Sequence, residues 1–130
     1  MPRHARGWAL GSGHHFRDRH SPLTISMLEP ALLILLKEQP RHGYNLLVDL
    51  EALGMSTIHP SVVYRTLRDM ERLEWIESSW STDRTQGPPR RTYRVTAPGE
   101  EALQAWQFEL GKTRELITQL MDRLSKMERR

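Results

Sequence analysis

The sequence predicts a mainly α-helical fold with a small β-hairpin, extended at its C-terminus by one long helix. Three observations point there. Val63, Leu67, Met70 and Leu73 recur at helical spacing within one segment. The stretch from Gly87 to Gly99 combines a tight Pro/Gly-rich tip, an alternating strand and the start of a helix. From Pro98 onward, apolar residues keep spacings of three and four to the end of the chain.

Residues 1–26 mix Gly, His, Arg and Ser with isolated apolar residues and no period, which reads as a flexible or conditionally ordered arm. The fold is expected to begin near Ser26. Met27 to Glu38 is helical in composition, with Pro30 tolerable because it falls in the first turn. Apolar residues cover almost every side of this helix, so it needs contacts on more than one face. Leu32 and Leu36 are therefore assigned to a subunit interface. Gln39 to Gly43 breaks the helix, and Leu46, Leu47, Leu50 and Leu53 mark a short second one running from Tyr44 to Leu53, closed by Gly54.

Pro60 opens a third helix, with Val63, Leu67, Met70 and Leu73 inward and Ser61, Arg65, Arg68 and Arg72 outward. Trp75 to Trp80 and Thr92 to Thr96 alternate as two strands around a polar loop. Three helices followed by a hairpin is the order of a winged helix-turn-helix domain, here residues 27–97. Residues 98–130 form the last helix, whose seam is Leu103, Trp106, Leu110, Thr113, Ile117, Leu120, Leu124 and Met127. A helix of about 30 residues is roughly 45 Å long, more than a core this small can cover, so the seam is expected to dimerise. Thr113 and its neighbour Gly111 weaken the middle of the stripe.

Composition narrows the function. A chain of 130 residues makes one domain with a modest core, and association with a second copy would add stability. The absence of cysteine excludes disulfides and thiolate metal sites. No signal peptide is legible, and the longest apolar run, Ala31 to Leu36, is far short of the roughly 20 residues that span a bilayer. A cytoplasmic protein without membrane contact is expected. The net charge is +3, yet the arm holds Arg3, Arg6, Arg17 and Arg19 against Asp18, leaving 15 basic and 15 acidic residues elsewhere. Clustering matters more than the total: four arginines and no acid lie between Arg84 and Pro98, which makes double-stranded DNA the first partner to consider.

Three motifs, His42-Gly43-Tyr44 with Leu46, Tyr64 to Glu71, and Arg90 to Thr96 with Gly99, together resemble the PadR family of bacterial transcriptional regulators. The resemblance runs from about Met27 to the end and is to the subgroup with a short C-terminal portion, although the arm is longer than the family minimum. It implies a homodimer in which each C-terminal helix packs against the N-terminal part of the other chain. It also implies binding to an inverted-repeat operator, usually in repression; release by an effector is expected here as a shift in the angle between the seam helices.

On this reading Ser61, Tyr64, Arg65 and Arg68 face the major groove, with hydroxyls suited to phosphates and arginines to guanine. Tyr64 could equally pack inward. Arg84, Arg90 and Arg91 would reach phosphate or minor groove from the wing, while Arg94 alternates with Tyr93 and Val95 and could pair with Glu77. Trp75 and Trp80 read as hairpin and core residues. Trp106, with Leu110, either packs in the seam or, as the resemblance implies, meets a flat aromatic effector. His14 and His15, near His4 and His20, invite a metal- or haem-responsive sensor as the alternative function, but their spacing fits no closed site and no cofactor is assigned. His42 and His59 stand at helix starts, in structural or phosphate-facing positions. No phosphate loop, zinc-protease helix or serine-nucleophile elbow is present, so catalysis is not expected.

Overall fold

The computed structural model describes residues 22–80 and 90–129. In chain order these form α1 (Pro22–Ser26), α2 (Leu28–Glu38), β1 (Arg41–His42), α3 (Gly43–Ala52), α4 (Pro60–Arg72), β2 (Ile76–Trp80), β3 (Arg91–Val95) and α5 (Ala97–Glu128). The mainly helical fold with a small antiparallel sheet agrees with the sequence reading. Two elements were not foreseen. Residues 22–26, assigned to the arm, are helical. Arg41 and His42, read as part of a chain break, form a two-residue strand on β3, so the sheet has three strands in the order β1-β3-β2. Two residues between a helix break and a helix start are too few to show alternation.

α2 is the axis of the domain. Leu32 and Leu33 have no exposed surface, and Leu28, Leu35 and Leu36 are buried with them against Leu46, Leu50, Val63, Leu67, Met70 and Ile76. The assignment of Leu32 and Leu36 to a subunit interface is thereby corrected. α2 is apolar nearly all round because α3, α4, β3 and α5 of its own chain surround it, leaving Ile34 and Lys37 outward. Truncating a leucine such as Leu32 would remove roughly 2–5 kcal/mol. The C-terminus of α2 is held by Arg41, which is mostly buried. Its Nε donates to the Leu35 carbonyl at 2.9 Å, and its terminal nitrogens donate to Glu38 at 2.7 Å and Asp49 of α3 at 2.5 Å.

α3 and α4 end in the same way. Met55 N–H donates to Leu50 and Gly54 N–H to Glu51, while Trp75 N–H donates to Met70 and Glu74 N–H to Glu71. Each pair requires one residue in the left-handed region. Gly54, at φ 91°, supplies it for α3, as the sequence predicts; Glu74, at φ 65°, supplies it for α4. These turns bend the chain so sharply that Leu53 and Leu73, both expected on the inward faces, sit outside at 58% and 53% exposure.

Candidate nucleic-acid interface

α4 begins with Pro60 in its first turn and His59 as its cap, whose Nδ1 accepts from Ser61 N–H at 3.0 Å and lies 2.9 Å from Ser61 Oγ. Burial of Val63, Leu67 and Met70 against the core orients the opposite face outward. Ser61, Arg65 and Arg68 stand exposed on that face, as the helical period requires. Arg72 pairs with Asp69 of the same helix at 3.0 Å. Tyr64 departs from the group. It is half-buried and its ring lies against Gly43 at the start of α3, on the shoulder of the helix.

The hairpin stands beside this helix. Glu77 lies directly opposite Arg94, and Trp80 opposite Arg91. Cross-strand pairing puts the Arg91 guanidinium 4.9 Å from the centre of the exposed Trp80 ring, a cation–π contact that holds the arginine at the base of the wing. Arg90 is exposed just before β3. Arg84 and the tip of the wing, with His4, His14, His15, His20 and Trp8 of the arm, lie outside the described residues. Tyr93 is buried beneath, and burial pushes its hydroxyl above the usual tyrosine range, with Arg91 opposing and Glu71 reinforcing the shift. Glu71 itself accepts from Ser78 Oγ at 2.5 Å.

Between helix and wing is an open cleft of about 470 Å³. Tyr44, Tyr64, Arg90 and Arg91 line it, together with His42, Gly43 and Tyr93. Tyr44, which lines this cleft, was not singled out as a site residue in the sequence. Its signal was available: the core face of α3 is Leu46 and Leu50, and a tyrosine two residues before Leu46 falls off that face.

α5 supplies the second surface. Thr96 caps it, accepting from Gly99 N–H at 3.1 Å and donating to the Glu74 carbonyl at 2.5 Å. Leu103 and Trp106 pack against the core, which favours the packing reading of Trp106. Leu110 instead lines a groove of about 690 Å³ between α2 and α5, with Ile34, Leu103 and Arg114, and the Lys37–Glu100 ion pair at 3.1 Å crosses it. Beyond Thr113 the helix leaves the domain, and Ile117, Leu120, Leu124 and Met127 are exposed with Leu116 and Met121. No helix among the described residues is long and apolar enough to cross a membrane, and no three His, Cys, Asp or Glu side chains converge on a metal position there.

A search of curated proteins finds no relative of the chain. Solved structures share its fold. A PadR-like transcriptional regulator from Bacillus cereus superposes with a TM-score of 0.70 at 24% identity, covering 78% of this chain and 97% of that one. A PadR family regulator from Eggerthella lenta gives 0.67 at 24% identity, covering 76% and 85%. A protein from Thermoplasma acidophilum gives 0.69 at 22% identity, covering 78% and 97%. The sequence model described as the transcriptional regulator PadR-like family matches residues 32–105, which reach from the buried centre of α2 to the first turns of α5. That span is more than half of the chain and contains both the outward arginines of α4 and the wing strands, so this chain belongs to the PadR-like family of transcriptional regulators, DNA-binding proteins that are not enzymes.

Proposed function

We propose that the chain is a homodimeric repressor that binds an inverted-repeat operator in the cytoplasm and is released by an effector. The observation that carries the dimer is the distal half of α5, where Leu116, Ile117, Leu120, Met121, Leu124 and Met127 form an exposed apolar face that none of the described residues covers. A second copy of the same helix is the partner that matches its seven-residue repeat. Two α4 helices would then enter major grooves about 34 Å apart, with Ser61, Arg65 and Arg68 reading base edges while Arg84, Arg90 and Arg91 clamp the backbone. Operator spacing would follow from the angle between the two α5 helices, so a ligand in the groove lined by Leu110 would act through its different affinity for two such angles.

Sedimentation equilibrium of the full chain, followed by fluorescence anisotropy against duplexes from its own upstream region across a salt series, tests this reading. A dimer with saturable binding to an inverted repeat, at least ~1,000-fold tighter than to random DNA, is the expected result. A monomer at micromolar concentration, or equal affinity for every duplex, would refute it.

A further inference from the structure

We propose that Arg41 is a positioning residue for DNA binding: with Asp49 and the last turn of α2 it fixes the start of α3 and the edge of the sheet on the core, without itself reaching the duplex. This rests on the DNA-binding reading above and adds to it what holds the reading surface in place. β1 has only two residues, Arg41 opposite Tyr93 and His42 opposite Thr92. So short a ladder makes too few hydrogen bonds to hold its own position, and α3 begins at the next residue, Gly43. The placement of both elements therefore falls to side chains.

Successive residues of a strand point to opposite faces. His42 stays beside its ladder partner, its Nδ1 3.1 Å from Thr92 Oγ1, while Arg41 reaches the two helices. Its Nε donates to the Leu35 carbonyl, one terminal nitrogen donates to Glu38 of the same turn, and the other donates to Asp49 in the second half of α3. Leu35 and Leu36 are buried in the core, so the α2 end of this clamp is a fixed point. Only 13% of the Arg41 side chain is exposed and each of its three nitrogens is engaged, which leaves it no reach towards a phosphate. The planar guanidinium meets acceptors on two helices at set angles, which a lysine ammonium would not reproduce. His42, Gly43 and Tyr44 follow directly and line the cleft beside the wing, so a shift of β1 moves the wall of the surface assigned to DNA.

The test uses the full chain and labelled duplexes from its own upstream region, with anisotropy measured across a salt series for the wild type, Asp49→Asn, Arg41→Gln, Arg41→Lys and the double variant Arg41→Gln/Asp49→Asn. Circular dichroism at the titration temperature establishes that each variant is folded. Asp49→Asn is decisive, because it removes a negative charge from a DNA-binding domain. If Asp49 matters only through charge or stability, the folded variant should bind as well as the wild type or more tightly. A positioning role instead predicts binding weaker by roughly 2-fold to 30-fold. The logarithmic salt slope should stay unchanged, since no phosphate contact is lost. Arg41→Gln should weaken binding to a similar extent, Arg41→Lys should not restore it, and the double variant should lose little more than either single one. If Arg41→Gln fails to fold, Asp49→Asn still decides. Wild-type affinity in Asp49→Asn would make the clamp merely structural, and a slope flattened by about 0.9 in Arg41→Gln would make Arg41 a phosphate contact. Either result overturns the proposal and leaves the DNA-binding reading intact, whereas a wild type that binds no duplex overturns both.

Discussion

The ring of Tyr64 rests on the bare backbone of Gly43: a Cβ added at Gly43 would lie 2.8 Å from Cε1 of the tyrosine and 3.1 Å from its hydroxyl. This contact sets the distance between the start of α3 and the shoulder of α4. Gly43→Ala should therefore displace the ring, costing about 1–2 kcal/mol of stability and weakening DNA binding through the altered cleft. The check is a double-mutant cycle with Tyr64→Leu. If the two changes act through this contact, the alanine should cost much less in the leucine background. Strict additivity of the two thermal shifts would show that the contact does not limit either residue.

Glu74 holds the left-handed position that ends α4, where a side chain is disfavoured by roughly 1–2 kcal/mol. Its carbonyl accepts from Thr96 Oγ1, an interaction that glycine would retain. Glu74→Gly is expected to stabilise the domain by about 0.5–1 kcal/mol, since relief of strain is partly offset by the freer unfolded chain. Chemical denaturation measures it directly. A destabilised variant would mean that the Glu74 side chain has a stabilising role of its own.

Gly99 lies where the first turn of α5 crosses Trp75, the residue just before β2. A Cβ there would be 1.9 Å from the Trp75 carbonyl oxygen and 2.7 Å from Val95 Cγ2, and backbone cannot rotate away. Gly99→Ala should cost at least about 3 kcal/mol, or lift α5 off the sheet. Gly111, further along the same helix, has open space around it. Gly111→Ala should gain up to about 1 kcal/mol from helix propensity. Thermal midpoints moving in opposite directions are the expected pattern; equal shifts would contradict the geometry.

The contrast between these positions explains what the sequence can disclose. Periodicity marked Val63, Leu67 and Met70 as the inward face of α4, because a repeated residue type reports which side is buried. Gly54 and Pro60 marked their helix ends through backbone chemistry that belongs to the residue itself. Leu32 and Leu36 were misplaced because a helix apolar all round does not say whether its neighbours come from one chain or two. β1 was invisible because two residues paired across 50 positions leave no local pattern. The Trp80–Arg91 contact and the cleft depend on the register of β2 against β3, which no local spacing in the sequence records.

Glu29 in the first turn of α2 has its carboxyl pushed above the usual value, first by burial and then by the negative charge of Asp69. The folded state therefore keeps this proton to higher pH than the unfolded chain does. Stability contributed by the protonated form is present below the ordinary carboxylate value and is lost as pH rises through the raised one. Glu29→Gln removes the ionisation, so its thermal midpoint should exceed that of the wild type at neutral pH. The difference should shrink towards zero as the pH falls to about 4. A gap that is constant with pH would show that ionisation of Glu29 is not its source.

Ile117 lies at the centre of the uncovered face of α5, with 46% of its surface exposed in the single chain. In the proposed dimer each copy of this isoleucine would be enclosed, and burying such a side chain is worth about 1.5–3 kcal/mol. Ile117→Asp deletes that contribution twice and sets two carboxylates facing each other across the seam. Dimerisation should weaken by at least about 100-fold. The domain should stay folded, because the core of Leu32, Leu67 and Met70 lies at the other end of the helix and does not involve residue 117. Sedimentation equilibrium and circular dichroism separate the two effects: a folded monomer is expected. An intact dimer in this variant would place the subunit contact elsewhere on the chain, whereas an unfolded chain would mean that the domain cannot stand without its partner. In the expected case, operator affinity should fall towards that of a single half-site, since one α4 helix can occupy only one groove.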